Sequence, residues 1–171
     1  MKIKSIIAAA ALMTVSSAFA ATTNITLVQD PLKSTDYTGY FGLSHTGAFT
    51  DTFTFSPSLN SSLVSAVLSS IGFTKSTNLD FTSVKINGIA LDIVNGAVDT
   101  ATTPSLLALH GPLTLVVSGQ AHDLNPGSFN ASYSGTINVT AVPEPETFAM
   151  LGAGLALVGF AARRRKAANQ A

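Results

Sequence analysis

Short runs in which apolar and polar residues alternate recur along the chain, and this pattern predicts β-strands. The clearest run is 47–56, where the odd-numbered side chains fall on one face and the threonines between them on the other. Those odd-numbered residues include Phe49, Asp51, Phe53 and Phe55. Three further runs that predict strands are 24–28, 113–117 and 133–140. Turn residues separate these runs at roughly 8–12-residue intervals, so the sequence predicts an all-β fold, a single antiparallel β-sandwich-like domain.

Two shorter segments carry local signals. Asn87-Gly88 lies between the apolar segments 84–86 and 89–91, and this pair favours the tight turn of a β-hairpin. The segment 59–71 is ambiguous, because its apolar residues recur every fourth position, as in a helix. Strong helix formers are scarce there and serines alternate with apolar residues, so we favour a strand.

The N-terminus has the pattern of a secretory signal peptide. Two lysines precede the apolar run 6–15, and the small residues Ala18 and Ala20 follow it. This order predicts a signal peptide at 1–20 that is cleaved between Ala20 and Ala21, with the Sec export machinery and signal peptidase as partners. A retained N-terminal anchor is the alternative, but the apolar run is shorter than the roughly 20 residues of a membrane span.

A different pattern occupies residues 142–171. Val142-Pro143-Glu144-Pro145-Glu146 precedes an apolar run at 148–162, and four basic residues follow. Because residues before proline avoid the α region, the first segment predicts an extended linker. The apolar run predicts a short transmembrane helix, which suits a transient anchor because a stable span needs roughly 20 residues. Its anchoring residues are Phe148, Leu151, Leu155, Leu157, Val158 and Phe160. The basic residues expected to stay cytoplasmic are Arg163, Arg164, Arg165 and Lys166.

This order of a Pro-Glu-Pro segment, a short apolar helix and a basic end resembles the PEP-CTERM sorting signal of Gram-negative bacteria. The resemblance implies export, transient anchoring in the inner membrane, and processing by an exosortase, a membrane-embedded cysteine protease. It also implies that Pro143, Glu144 and Pro145 are the recognition residues. The expected organisation is a signal peptide, a β-rich extracellular domain at 21–141 and a sorting signal at 142–171. An unprocessed tail anchor is the alternative.

Phe49-Thr50-Asp51-Thr52-Phe53 resembles the FxDxF element of one PEP-CTERM subgroup, which has no activity to transfer to this chain. If this face is buried, the Asp51 carboxylate needs hydrogen-bond donors, for example from Lys33, Lys75, Lys85, hydroxyls or the backbone. If the face is exposed, Phe49 and Phe53 beside a carboxylate form a platform for a sugar. We favour the buried, structural interpretation.

The composition of the domain argues against nucleic acid as a partner and against thiol chemistry. Between residues 21 and 142 there are three lysines, seven aspartates and no arginine, so the formal net charge is 3 − 7 = −4. A domain of this charge repels phosphate backbones, which makes nucleic acid an unsuitable partner. The chain has no cysteine, so thiol chemistry and thiolate metal sites are excluded.

No motif predicts catalysis, a cofactor or a metal site. The three histidines, at positions 45, 110 and 122, lack ligand spacing and are interpreted as loop residues. Asp92, Asn95 and Asp99 could face a Ca²⁺ ion but do not match an EF-hand. We therefore expect a non-catalytic protein of the cell surface or of an exopolysaccharide (biofilm) matrix. The alternatives are a polysaccharide- or cation-binding module and a tail-anchored periplasmic hydrolase.

Overall fold

The structure, a computed structural model, describes residues 19–71, 77–123, 131–143 and 145–168. Strands make up most of the described chain, which confirms the all-β prediction. They are β1 (Phe19–Thr26), β2 (Val28–Gln29), β3 (Asp36–His45), β4 (Ala48–Ser56), β5 (Ser61–Ile71), β6 (Thr77–Ile86), β7 (Ile89–Ala90), β8 (Asp92–Val94), β9 (Thr100–Thr102), β10 (Leu107–His110), β11 (Thr114–Asp123) and β12 (Ala131–Ala141). One helix, α1 (Pro145–Ala168), follows the last strand.

The strands form two sheets. The first has the order β1-β4-β11-β6-β7, and the second has the order β2-β3-β12-β5-β9-β8, with β10 also paired to β5. Strand pairs are antiparallel except β1 and β4, which run parallel. The wholly antiparallel prediction is wrong at this edge, because the chain crosses to the second sheet for β2 and β3 before it returns as β4.

Side chains from both sheets pack into one hydrophobic core. The ring centroids of Phe41 in β3 and Phe53 in β4 are 4.9 Å apart. Those of Tyr133 in β12 and Phe81 in β6 are 5.7 Å apart. Burial of strand β4 alternates along its length, as the sequence predicts. Its phenylalanines face the core and its threonines face outward.

Two glycines make room for core rings on the strand beside them. Gly135 of β12 pairs with Phe41, and a Cβ at Gly135 would lie 2.6 Å from that ring. Gly119 of β11 pairs with Phe49, and a Cβ there would also lie 2.6 Å from the ring. Since real Cβ atoms do not approach other atoms this closely, any side chain at either glycine displaces a core phenylalanine.

Both local predictions are confirmed. Asn87 and Gly88 have positive φ angles of 45° and 83° and connect β6 to β7 as a hairpin. Residues 61–71 of the ambiguous segment form strand β5, which pairs with β12 from Ser62 to Ile71. Val64, Ala66 and Leu68 are buried, whereas Leu63 and Val67 are 37% and 46% exposed, so burial alternates along β5 with the two-residue period of a strand.

The predicted signal peptide lies almost entirely outside the described residues, which begin at position 19. Ala18 of the predicted cleavage site is therefore also outside them. Ala20 and Ala21 lie in β1, where they pair with Thr50 and Asp51 of β4. Signal-peptide cleavage stays a prediction.

The helix α1 is longer than the predicted run at 148–162. It begins at Pro145, because proline suits the first helical position and Glu146 in the first turn interacts favourably with the helix dipole. The extended linker therefore includes Val142 and Pro143 but ends before Pro145. No helix in the described ranges is both apolar and long enough for a membrane crossing, so the predicted transmembrane helix is not confirmed.

Candidate functional site

The predicted sorting signal begins where hydrogen bonding within the sheet ends. The Ala141 N–H donates to the Thr35 carbonyl at 2.7 Å, and the Val142 N–H donates to the Ser61 carbonyl at 3.0 Å. Pro143 is exposed, and Glu144 lies outside the described residues. Every described strand therefore lies before the Pro-Glu-Pro segment, and removal of the chain beyond Pro143 takes away none of them.

The helix that follows presents its apolar residues to solvent. The six predicted anchoring residues are each at least 62% exposed. They are Phe148, Leu151, Leu155, Leu157, Val158 and Phe160. The four basic residues Arg163, Arg164, Arg165 and Lys166 lie in the last part of α1. The anchoring residues are not part of the hydrophobic core, so the helix is available to another apolar environment.

The FxDxF element lies in the interior. Phe49, Asp51 and Phe53 are 2%, 0% and 1% exposed. The Tyr133 hydroxyl donates to Asp51 Oδ2 at 2.6 Å, and His45 Nε2 lies 2.7 Å from the same oxygen. Since a carboxylate oxygen can only accept, Nε2 of His45 carries the proton. This arrangement supports the structural interpretation and removes the basis for a sugar platform at this element.

Aromatic packing holds the two donors in place. The His45 ring stacks on the Phe49 ring at 4.0 Å with an angle of 4° between the planes. The Phe49 and Tyr133 rings are nearly parallel at 5.7 Å, and the Phe53 ring meets Tyr133 edge-on. Each donor ring therefore has little freedom to turn away from Asp51, which lowers the entropic cost of keeping the network.

The surroundings of Tyr133 strongly favour its neutral form. Burial raises the pKa of the Tyr133 hydroxyl, and its hydrogen bond to Asp51 and the negative charge of that residue raise it further. Asp51 Oδ1 is buried and has no hydrogen-bond partner among the described residues. The Asp51 carboxylate thus depends on the two donors that meet at Oδ2.

The raised pKa of Tyr133 predicts a loss of stability in alkali. Above pH ~10 the unfolded chain ionises this tyrosine while the folded protein does not, so stability is fully present below that pH and falls as pH rises. We expect this residue to remove about 1.4 kcal/mol from the free energy of unfolding between pH 9 and pH 11. Urea titrations at several pH values in this range measure how the free energy of unfolding changes with pH. Tyr133→Phe should lack the part of this change that comes from the tyrosine hydroxyl. Equal slopes in both proteins would contradict the assignment.

The sequence predicted that Asp51 needs donors but not which residues supply them. Of the lysines considered as donors, Lys33 places its Nζ atom 3.7 Å from Asp36 Oδ2 instead. Lys85 is exposed, and Lys75 is outside the described residues. The loop interpretation of the histidines is wrong, since all three lie in strands. The sequence does contain a pattern that predicts the position of His45. Residues 41, 43 and 45 lie on one face of a strand, and Phe41 on that face is apolar, so His45 is expected on the core side.

A second histidine–aspartate pair lies near the surface. His122 Nε2 is 3.0 Å from Asp80 Oδ2, with the two side chains 48% and 39% exposed. A hydrolase needs a histidine to meet both a carboxylate and a hydroxyl. Between described residues, no serine or threonine hydroxyl is hydrogen-bonded to His45 or His122. Neither pair has the geometry of a catalytic triad.

The described residues do not bring the histidines together with other metal-ligating side chains. Within the described ranges, no group of three or more His, Cys, Asp or Glu residues is placed to hold a metal ion. His110 lies exposed at the end of β10, where it is paired with Ser61 of β5 rather than with an aspartate. The three histidines therefore do not share one site.

Comparison with known proteins identifies only the C-terminal segment. The family model described as the PEP-CTERM protein-sorting motif matches residues 141–166. No curated protein and no solved structure matches the chain. The match confirms the predicted sorting motif and indicates an exported protein that is targeted to an exosortase as its processing partner. Nothing in the comparisons bears on the FxDxF subgroup.

Proposed function

We propose that this protein is a non-catalytic component of the cell surface or of an extracellular exopolysaccharide matrix, released there after exosortase processing. The observation that carries the proposal is the sorting motif at 141–166, which begins as strand β12 ends. A protein sorted in this way reaches its site of action as the domain that precedes the motif. The function therefore belongs to residues 21–141.

The order of events follows from the two ends of the chain. The signal peptide at 1–20 directs Sec export and is removed by signal peptidase. The apolar part of α1 then holds the chain transiently at the inner membrane, with the basic residues on the cytoplasmic side. The exosortase recognises Pro143, Glu144 and Pro145 on the outer side, where the exposed Pro143 makes the backbone accessible.

The properties of the domain fit a structural role. Its two sheets share one core, which supports the β-sandwich-like architecture that we propose for the domain. Among the described residues, each of the two histidine–aspartate pairs is a contact between a histidine and a carboxylate with no hydroxyl hydrogen-bonded to the histidine, which is consistent with a structural role. Its formal charge of −4 keeps the domain soluble and suits a hydrated extracellular matrix.

A second candidate function is the binding of a neutral polysaccharide on the outer face of the second sheet. Tyr40 of β3 is 69% exposed and pairs across the sheet with Thr136 of β12, which pairs with Val67 of β5. An open cleft of about 310 Å³ is lined by Tyr40, Phe41, Val67, Leu68, Ser69, Ser134, Gly135 and Thr136. The lining combines an exposed aromatic ring with hydroxyl groups and contains no charged residue, which suits an uncharged sugar.

Fractionation of the native host tests both candidates. We expect the protein to sediment with the exopolysaccharide matrix and to be released when the polysaccharide is digested. Protein that stays in the inner membrane, or is free in the medium before digestion, would contradict the matrix role. If the cleft makes the contact, Tyr40→Ala moves the protein into the medium. The control Leu32→Ala, which truncates a side chain that is 93% exposed elsewhere, should leave it in the matrix.

A further inference from the structure

The outward side of strand β4 carries a row of threonines. Thr50, Thr52 and Thr54 alternate with the buried residues of the strand and lie half-buried on the outer face of the first sheet. In the sequence this row is confined to one strand. In the sheet, however, β4 lies between β1 and β11. The outward residues of these two neighbours therefore decide how wide the polar surface is.

On one side, β1 adds a second row. Its outward residues Thr22, Asn24 and Thr26 are exposed and lie in register beside the outward residues of β4. All three follow the predicted cleavage position between Ala20 and Ala21. This row is therefore retained when the signal peptide is removed.

On the other side, β11 adds a third row. Its residues Thr114, Val116 and Ser118 are half-buried and lie in register beside the three threonines of β4. We call the outward residues named on β1, β4 and β11 the threonine face. All of them except Asn24 and Val116 carry a hydroxyl group, and none is charged or aromatic. The exposed Lys85 of β6, which pairs with Val116, marks the charged margin of the face.

Hydrogen bonds between strands hold the side chains of the threonine face in fixed positions. Asn24 Nδ2 donates to Thr54 Oγ1 at 3.1 Å, and the hydroxyl oxygens of Thr50 and Ser118 are 3.0 Å apart. Threonine is also β-branched, which restricts its χ1 angle. Much of the entropic cost of ordering these groups is therefore met when the domain folds, so less of it remains to be paid on binding.

The threonine face repeats in two directions. Outward residues of one strand are about 6.8 Å apart, and neighbouring strands are about 4.8 Å apart. Oxygen atoms on the prism faces of an ice crystal repeat at distances near both values. A two-dimensional array of this kind matches a ligand that is itself regular in two dimensions, as a crystal surface is.

The charges of the domain also favour a neutral partner at this face. The formal net charge of residues 21–142 is 3 − 7 = −4, but none of the charged side chains belongs to the threonine face. The face is thus complementary to an uncharged surface and would gain nothing from a cationic one. It also lacks the aromatic ring on which a sugar would stack, which favours ice over a neutral polysaccharide.

We propose that the threonine face binds the surface of ice crystals in the water outside the cell. Its hydroxyl groups exchange hydrogen bonds with the crystal, and its methyl groups exclude liquid water from the contact. The export indicated by the sorting motif brings the protein to that water. Twist between neighbouring strands limits the match to a small patch. We therefore expect the protein to slow the recrystallisation of ice rather than to lower the freezing point strongly.

Slow freezing of a dilute solution of the purified, fluorescently labelled full chain tests the proposal. A dissolved protein without affinity for ice is pushed into the remaining liquid, whereas we expect this protein to enter the ice. Thr52→Lys places a charge at the centre of the face. It should lower the ratio of ice-bound to liquid protein about tenfold, which corresponds to about 1.4 kcal/mol, because the ammonium group loses hydration against the crystal.

The matched control is Leu32→Lys, which adds the same charge at a side chain that is 93% exposed outside the threonine face. This control should enter the ice as the wild type does. Thr22→Lys changes an exposed side chain of the face, so it tests the same contact at a position where a lysine is compatible with folding. We expect it to lower uptake as well.

Three outcomes would overturn the proposal. The first is wild-type protein that remains in the liquid and leaves the recrystallisation of ice unchanged. The second is uptake of both Thr52→Lys and Thr22→Lys equal to that of the wild type. The third is exclusion from ice together with retention on an insoluble neutral polysaccharide that Thr52→Lys abolishes, which would assign the face to a sugar.

Discussion

Replacing Asp51 with alanine is expected to lower the free energy of unfolding by about 4 kcal/mol. The change leaves the buried Tyr133 hydroxyl without its acceptor and removes the partner of His45 Nε2, which is 2.7 Å from Asp51 in the wild type. Unsatisfied buried polar groups cost about 1–3 kcal/mol each, and the lost side-chain volume adds to this. Such a loss is a large part of the stability of a single domain.

Denaturant unfolding measures this change, and Asp51→Asn distinguishes its causes. Asparagine can present an oxygen to both donors but places an N–H₂ group where Oδ1 has no partner, so we expect a smaller loss of about 2 kcal/mol. Asp92→Ala at an exposed position is the control and should change stability by less than about 0.5 kcal/mol. A wild-type Tm in Asp51→Asn would show that the network is not structural.

The second large effect is expected in the sorting motif. Replacing Pro143 and Pro145 together with alanine should abolish processing almost completely, because the exosortase would meet a segment without its Pro-Glu-Pro signature. Alanine is the best helix former, so α1 and its apolar residues remain intact and the chain still reaches the membrane. Immunoblots of the native host should therefore show the full-length form accumulating in the inner membrane.

The matched control for this variant is Glu146→Gln. This residue lies in the first turn of α1, immediately after the Pro-Glu-Pro segment, and the change removes one charge while the prolines stay. We expect normal processing of this control. Processing of the proline variant at the wild-type rate would show that recognition does not depend on Pro143 and Pro145.

Local patterns were sufficient to predict most strands. The alternation in β4 identified its buried face residue by residue, and Asn87-Gly88 located a hairpin because a two-residue turn is a local event. The sorting motif could also be predicted from the sequence, because its residues are contiguous in the chain. These features depend on residues that are close together in the chain.

Features that depend on distant residues could not be predicted. Tyr133 is 82 positions from Asp51, and no local pattern shows that β12 would place its hydroxyl there. The parallel pairing of β1 with β4 depends on the path of the chain through the second sheet. The pairing of His122 with Asp80 likewise joins residues 42 positions apart, on β11 and β6.

The intact mass of the protein from its native host, measured for the inner-membrane and the extracellular fractions, tests the central claim most directly. The account predicts an extracellular form that lacks residues 1–20 and the tail beyond the Pro-Glu-Pro segment. A single form that still ends at Ala171 and stays in the inner membrane would contradict it.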